Sequence, residues 1–308
     1  MKQFFIFVLF LILLIAQPLH AVLIKVVATT EDLAAIAREV GSEKVQVQSL
    51  ARGEQDPHFL EAKPSLILKL SQADLLVEVG LDLESGWLPA LKIGARNGKI
   101  LNGALGNVDA SIGIMPIDIP TGPIDRSAGD VHAQGNPHYH LDPENEKQMA
   151  RNIAEGLKRI DPANASRYDQ NLTAFINRLD VSILGWQEKL KPFAGEKIVT
   201  YHNSWPYFLK RFGIVSVGHL EPKPGIPPTT AHLMGLVELM KRERVKIIVM
   251  EPYFSDQTPK FIAEKTGAKV IVLPPSVSAG SGIKDTLAHF DRLVNTLVEA
   301  LGGTGPRR

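Results

Sequence analysis

The stretch LIKVVATTEDLAAIA, residues 23–37, decides the fold. Its first seven residues, Leu23 to Thr29, are almost continuously apolar and rich in β-branched side chains, the composition of a strand buried on both faces. Thr30-Glu31-Asp32 then gives a polar, acidic run of the kind that opens a helix. Leu33, Ala34, Ala35, Ile36 and Ala37 follow in helical period. The unit repeats at once. Val45 to Leu50 predicts a second strand, Ala51 to Pro64 a loop, Ser65 to Ala73 a helix with leucines at 66, 68 and 70, and Leu75 to Gly80 a third strand. The order β-α-β-α-β implies a parallel sheet covered by helices.

The second half has the same outline. Strands are predicted over Lys197 to Tyr201, Val215 to Leu220, Val245 to Met250 and Val270 to Leu273. Helices are predicted over Trp205 to Phe212, Ala231 to Arg244, Thr258 to Thr266 with Gly267 as its C-cap, and Ile283 to Leu301. Gly302 to Arg308 reads as a frayed tail. Between the halves, Tyr168, Leu172, Phe175, Leu179, Ile183, Trp186 and Leu190 step by four or three, which predicts one long helix from Asp161-Pro162 to about Leu190. At ~1.5 Å per residue it forms a rod of about 42 Å, long enough to run the height of two stacked lobes. The expected organisation is therefore a leader at 1–21, a first α/β lobe at 22–160, a linking helix at 161–192 and a second α/β lobe at 193–308. Val108 to Gly135 departs from the pattern, with three prolines and little periodicity, and reads as an excursion that delivers the chain to residue 138. Asp142-Pro143 then opens a helix as N-cap and first-turn proline.

The leader has Lys2 near its start, an unbroken apolar run from Phe4 to Ala16, and Ala21 at the expected cut, the form of a cleaved secretory signal. An uncleaved anchor is the alternative, but the run is shorter than the roughly 20 residues that span a bilayer. Among 308 residues there is no cysteine, so stability rests on the core and no N-terminal cysteine can carry a lipid. These features suit a bacterial periplasm. The formal net charge is +1 with no basic run, which argues against nucleic acid as a partner.

Three histidine-bearing segments carry the chemistry: Gln55-Asp56-Pro57-His58-Phe59, Gly135-Asn136-Pro137-His138-Tyr139-His140-Leu141-Asp142-Pro143, and Val199-Thr200-Tyr201-His202-Asn203-Ser204-Trp205. In parallel α/β sheets, ligands bind beyond the carboxyl ends of the strands. His202 and Glu251 each follow a predicted strand; His58 and His138 lie on loops of the first half. Two lobes facing across a cleft would place His58 and His138 on one wall, and His202 with Glu251 on the other. Three imidazoles and one oxygen at about 2.0–2.2 Å make a tetrahedral zinc site. Each residue has a plainer role open to it. His58 would serve as an exposed turn residue, His202 as a hydrogen-bond donor or a base, and Glu251 as a helix cap or the partner of Lys246. His140 competes with His138. His132, His219, His232 and His289 read as surface or packing residues, and His20 leaves with the leader. There is no H-E-x-x-H, G-x-S-x-G, Walker loop or G-x-G-x-x-G after a strand.

On these segments and the long helix, nearly all of the mature chain resembles the periplasmic zinc- and manganese-binding proteins of ABC importers, the cluster A-I or ZnuA/TroA-like family. The most specific match is Asn136-Pro137-His138-Tyr139-His140-Leu141-Asp142-Pro143, where His138 falls on the family's ligand histidine and His140 where relatives usually carry tryptophan. The resemblance implies two α/β lobes joined by a rigid helix, a metal ion in the cleft, His202 as a third ligand that favours zinc over manganese, and a membrane permease as partner. The family's fourth ligand is a carboxylate after the last strand. Here that stretch is Leu273 to Gly280, without one, so Glu251 or water is expected in its place. Many zinc members also carry a histidine-rich loop, of which His132 is the remnant.

The reading this supports is a monomeric, non-enzymatic capture protein for one zinc ion per chain. The alternatives are an exported zinc hydrolase with three histidines, water as fourth ligand and Glu251 as general base, and a surface adhesin of the same fold.

Overall fold

The computed structural model describes residues 23–122, 129 and 131–303, so the leader and the end of the tail lie outside it. The first half forms a parallel four-stranded sheet in the order β2-β1-β3-β4, from β1 (Ile24–Ala28), β2 (Val45–Ser49), β3 (Leu75–Glu78) and β4 (Asn107–Asp109). The second half builds the same topology from β5 (Lys197–Thr200), β6 (Val215–His219), β7 (Ile247–Met250) and β8 (Lys269–Val272), in the order β6-β5-β7-β8. In each sheet the chain leaves the first strand to one side and returns to the other, which opens a crevice at the carboxyl ends.

The helices are α1 (Glu31–Gly41), α2 (Pro64–Ser71), α3 (Leu88–Ala95), α4 (Pro143–Ile160), α5 (Ala165–Leu190), α6 (Pro206–Phe212), α7 (Thr230–Glu243), α8 (Gln257–Thr266) and α9 (Thr286–Ala300). Asp142 caps α4 as expected, accepting a hydrogen bond from the Glu144 amide with Pro143 in the first turn. Gly267 ends α8 at φ +73°, in the left-handed region where glycine carries no Cβ penalty. The acidic run before α1 does something else. Thr30 makes no capping bond, and Asp32 is buried, accepting from Ser276 Oγ and from the Val277 amide at 2.9 Å in the other lobe.

The long helix is α5. It has 26 residues and follows a 3-10 turn at Pro162–Asn164, so the rod is about 39 Å, slightly shorter than the sequence suggests. Its predicted stripe faces inward. Tyr168, Phe175, Leu179, Ile183, Trp186 and Leu190 are buried, and Leu172 packs on the same core. That core runs through both lobes, from Val26 and Leu75 past Phe175 to Ile198, Phe208, Ile247 and Phe290. Each buried phenylalanine of this kind is worth about 3–5 kcal/mol to the fold. The outer face of each sheet has its own smaller core, around Leu70, Leu76 and Leu91 in the first lobe and around Val199, Val237 and Ile248 in the second. The excursion after residue 108 begins inside the sheet as β4 and then docks across the lobes, where the Ile117 amide donates to Tyr207 Oη at 3.1 Å.

Candidate metal centre

The second lobe presents three strand ends side by side. His202 follows β5, Glu221 follows β6 and Glu251 follows β7. Because β5 lies between β6 and β7, its histidine has a carboxylate to either side. His202 Nδ1 is 2.7 Å from Glu221 Oε2, and only 6% of the residue is exposed. Burial resists charge on the His202 ring, but the Glu221 hydrogen bond and the charges of Glu251 and Asp56 outweigh it and raise its pKa. This hydrogen bond holds Nδ1 and turns Nε2 toward the cleft, as carboxylates do behind metal-binding histidines.

The first lobe answers with two histidines. Asp56 Oδ1 takes both the His58 amide at 3.0 Å and His58 Nδ1 at 2.8 Å, a closed turn that fixes the ring. Burial pushes the Asp56 carboxyl up, but these bonds and the charge of His58 outweigh it and hold the pKa below the ordinary value. His58 Nε2 is buried without a partner. His138 begins the 3-10 turn His138–Leu141, anchored by Tyr139 Oη donating to Val79 O at 2.6 Å. The His138 amide donates to Asn136 Oδ1 at 2.9 Å, and Asn136 Nδ2 donates to Asn203 O at 2.9 Å. One asparagine thus joins the turn of one histidine to the residue after another in the opposite lobe.

The three rings converge. Their centroids are 5.0 Å apart for His58 and His138, 5.4 Å for His58 and His202, and 5.6 Å for His138 and His202. Each offers a nitrogen such that the three lie within 4.8 Å of one another, the only such group of three or more among the described residues. Burial first, then the neighbouring histidines, drives the His138 pKa well below the imidazole value, so that ring is neutral and its lone pair free. With the carboxylates of Asp56 and Glu221 bonded behind the rings of His58 and His202, the site sets negative charge behind two of its three imidazoles. A divalent cation would balance it.

Glu251 stays outside the trio. It is fully buried, its Oε1 accepts from Ser204 Oγ at 2.6 Å and Trp205 Nε1 at 2.9 Å, and its Oε2 has no partner. Burial, only partly offset by the charge of His202 and these hydrogen bonds, pushes its pKa up to about 7. Glu251, expected as the fourth ligand, is not in the converging group: its Oε1 is engaged by Ser204 and Trp205. Its use as a hydrolytic base loses ground for the same reason. His140 packs at the lobe interface with Nε2 2.9 Å from Pro275 O. His219, His232 and His289 serve packing roles, bonded to Thr200 Oγ1, His219 O and Pro274 O. His132 does not fit the surface reading. Its ring lies 5.3 Å from His58, its Nε2 is buried without a partner, and burial followed by the charge of His58 lowers its pKa to about 4. Sequence reasoning also passed over Asp56 and Glu221 as the groups behind the ligands. The strand-end rule that found His202 and Glu251 applies equally to Glu221.

The chain matches the family model described as the periplasmic zinc-uptake complex component A over residues 26–300. It is 28% identical over 252 residues to the manganese ABC transporter substrate-binding lipoprotein PsaA of Streptococcus pneumoniae serotype 4, covering 80% of this chain and 78% of that one. It is 28% identical over 170 residues to the high-affinity zinc uptake system protein ZnuA of Brucella abortus, covering 55% of this chain and 50% of that one. Among solved structures it superposes on a zinc-bound deletion mutant of ZnuA with a TM-score of 0.77 at 26% identity, over 92% of this chain and all of that one. With a family match spanning nearly the whole described chain and two like-ordered sheets around a histidine trio, this chain belongs to the zinc-uptake component A family, the metal-binding substrate proteins of ABC importers, and is not an enzyme.

Proposed function

We propose that this chain captures one zinc ion between its lobes in the periplasm, after removal of residues 1–21, and delivers it as a monomer to the membrane permease of an ABC importer. The ligands are His58, His138 and His202. The convergence of three imidazole nitrogens from two lobes within 4.8 Å carries the reading. Zinc is favoured over manganese because the converged donors are all imidazole, while manganese sites favour carboxylate and other oxygen donors. The relatives' names divide between the two metals, PsaA being a manganese protein and ZnuA a zinc protein. The all-imidazole donor set therefore supports zinc. The test is competitive equilibrium dialysis of the mature chain against equimolar zinc and manganese, with the bound metal counted by mass spectrometry. One zinc per chain is the expected result. Manganese in its place would overturn the choice of metal, and no bound metal would overturn the function.

A further inference from the structure

A tetrahedral zinc site needs four donors and the converged trio supplies three. Among the described residues, the buried side-chain nitrogens and oxygens without a partner are His58 Nε2, His132 Nε2, His140 Nδ1, Glu251 Oε2 and His289 Nδ1. His140 and His289 are each pinned through their other nitrogen to the Pro274-Pro275 backbone at the lobe interface. Two candidates remain beside the trio. Glu251 is held back by Ser204 and Trp205, both in its own lobe. His132 has no such bonds on its Nε2.

Three observations place His132. Its ring centroid is 5.3 Å from that of His58, inside the 5.0–5.6 Å spacing of the trio itself. Its Nε2 is buried without a hydrogen-bond partner, so the ring keeps a bare donor atom. The chain beside it is fastened to a tight loop. Gly80, Leu81 and Asp82 all have positive φ, and the Glu84 carboxyl holds the loop through the Val79 amide at 2.7 Å and the Gly80 amide at 3.1 Å. Gln134 Nε2 donates to Asp82 Oδ1 at 3.0 Å and fastens the chain just after His132 to the same loop. Finally, His132 and His58 share the wall of an open cavity of about 850 Å³ with Phe59 and Trp87, which His138 and His202 do not line.

We propose that His132 is the fourth metal donor, closing an all-imidazole cage of His58, His132, His138 and His202 from the open side of the site. The proposal rests on the zinc-capture reading and names a ligand for it. The His132 donor stands outside the 4.8 Å group of the other three, so its ring must swing inward to complete the shell. The last ligand to bind is then also the first to let go, and His132 controls release toward the open cavity.

The experiment is zinc-edge X-ray absorption on the zinc-loaded wild-type chain, with His132→Ala and His132→Gln beside it, and stopped-flow zinc release to excess chelator. Four imidazoles are expected in the wild type and three in each variant. Release should be at least about tenfold faster in both variants, since loss of a group merely bonded behind a ligand already costs about 10–100-fold. Glu251→Gln should leave the count of four imidazoles unchanged. A wild-type shell of three imidazoles and one oxygen, or release rates unaltered by His132→Ala, would overturn the proposal and leave zinc capture standing. A wild-type chain that retains no zinc would overturn the capture reading itself.

Discussion

Glu221→Gln isolates the group behind one ligand without touching the ligand. Glu221 Oε2 lies 2.7 Å from His202 Nδ1, and a zinc ion on Nε2 would sit beyond the far edge of the ring. With a metal–nitrogen bond of about 2.0 Å, the carboxylate and the ion are roughly 7 Å apart. At an effective dielectric of about 20, a unit negative charge and a dication at ~7 Å attract by roughly 5 kcal/mol. Glutamine keeps the hydrogen bond, and its dipole returns part of that attraction. The expected net loss is therefore about 10–100-fold in affinity, or about 1.4–2.7 kcal/mol. The same carboxylate raises the His202 pKa against the effect of burial, so it strengthens the ring's hold on a proton as well as on zinc. Well above the raised His202 pKa the wild-type ring is neutral and the whole deficit of the variant should show. As pH falls through the raised wild-type pKa, zinc must displace a proton from the wild-type ring before it must do so in the variant. The affinity gap should therefore narrow between pH 8 and pH 5.5. Competition titrations with a chromogenic chelator at four pH values measure it. A gap that is constant or widens toward acid, or no gap at pH 8, would refute the assignment of Glu221 as the group that tunes His202.

The remaining expectations use the same protein. His58→Ala, His138→Ala and His202→Ala should each weaken zinc binding by well over about tenfold in the same titration, since each removes a ligand outright, while His140→Ala should change it little. Glu251→Gln should stabilise the metal-free protein at neutral pH. The folded carboxyl, raised from 4.5 to about 7, keeps a proton that the unfolded chain has already lost, so stability falls as pH rises from about 4.5 to about 7. That penalty is absent at pH 4 and amounts to about 3 kcal/mol at pH 8. Urea unfolding of wild type and variant at the two pH values should show the variant gaining at pH 8 only. Small-angle X-ray scattering should give the same radius of gyration with and without zinc; a clear compaction on loading would count against a rigid frame.

Most of the scaffold could be read because parallel strands buried on both faces leave apolar runs, and an amphipathic helix leaves a period. LIKVVAT and the seven-residue stripe from Tyr168 to Leu190 are signals of those two kinds. Two elements gave no such signal. β4 is three residues, Asn107–Asp109, with one buried side chain, too short for any periodicity. α3 is eight residues with a proline in its first turn and Gly94 near its end, a composition that reads equally well as loop. At the site, the three histidine-bearing segments were enough to pick out the trio. They were not enough for the groups that orient its rings. Glu221 opens a run of prolines and reads as a linker, yet β6 places it against His202. His132 sits on the aperiodic excursion, and only folding brings its ring beside His58. Asp32 shows the same limit from the other direction. Its sequence context says helix start, while its side chain grips a loop more than two hundred residues away.

Those long-range grips bear on how the protein moves. A hinge between the lobes would have to part Asp32 from the Val277 amide, His140 from Pro275 O, and the paired bonds of Arg211 Nε and Nη2 to Asp142 at 2.7 and 2.9 Å. It would also have to part Glu146 from Thr286 and split a core that is continuous from one sheet, across α5, to the other. Each hydrogen bond contributes about 0.5–1.5 kcal/mol, those to charged groups more, and the buried apolar surface adds to them. A dication bridging the lobes gains nothing by closing a cleft that is already closed. What it can reorganise is the rim. His58 stands on a loop beyond β2, and His132 on an excursion whose described neighbours meet the second lobe through bonds that include those of Ile117 and Asn136. Capture and release in this molecule are therefore events of side chains and loops around a fixed trio, and the stiffness of α5 is what keeps the trio in register while they happen.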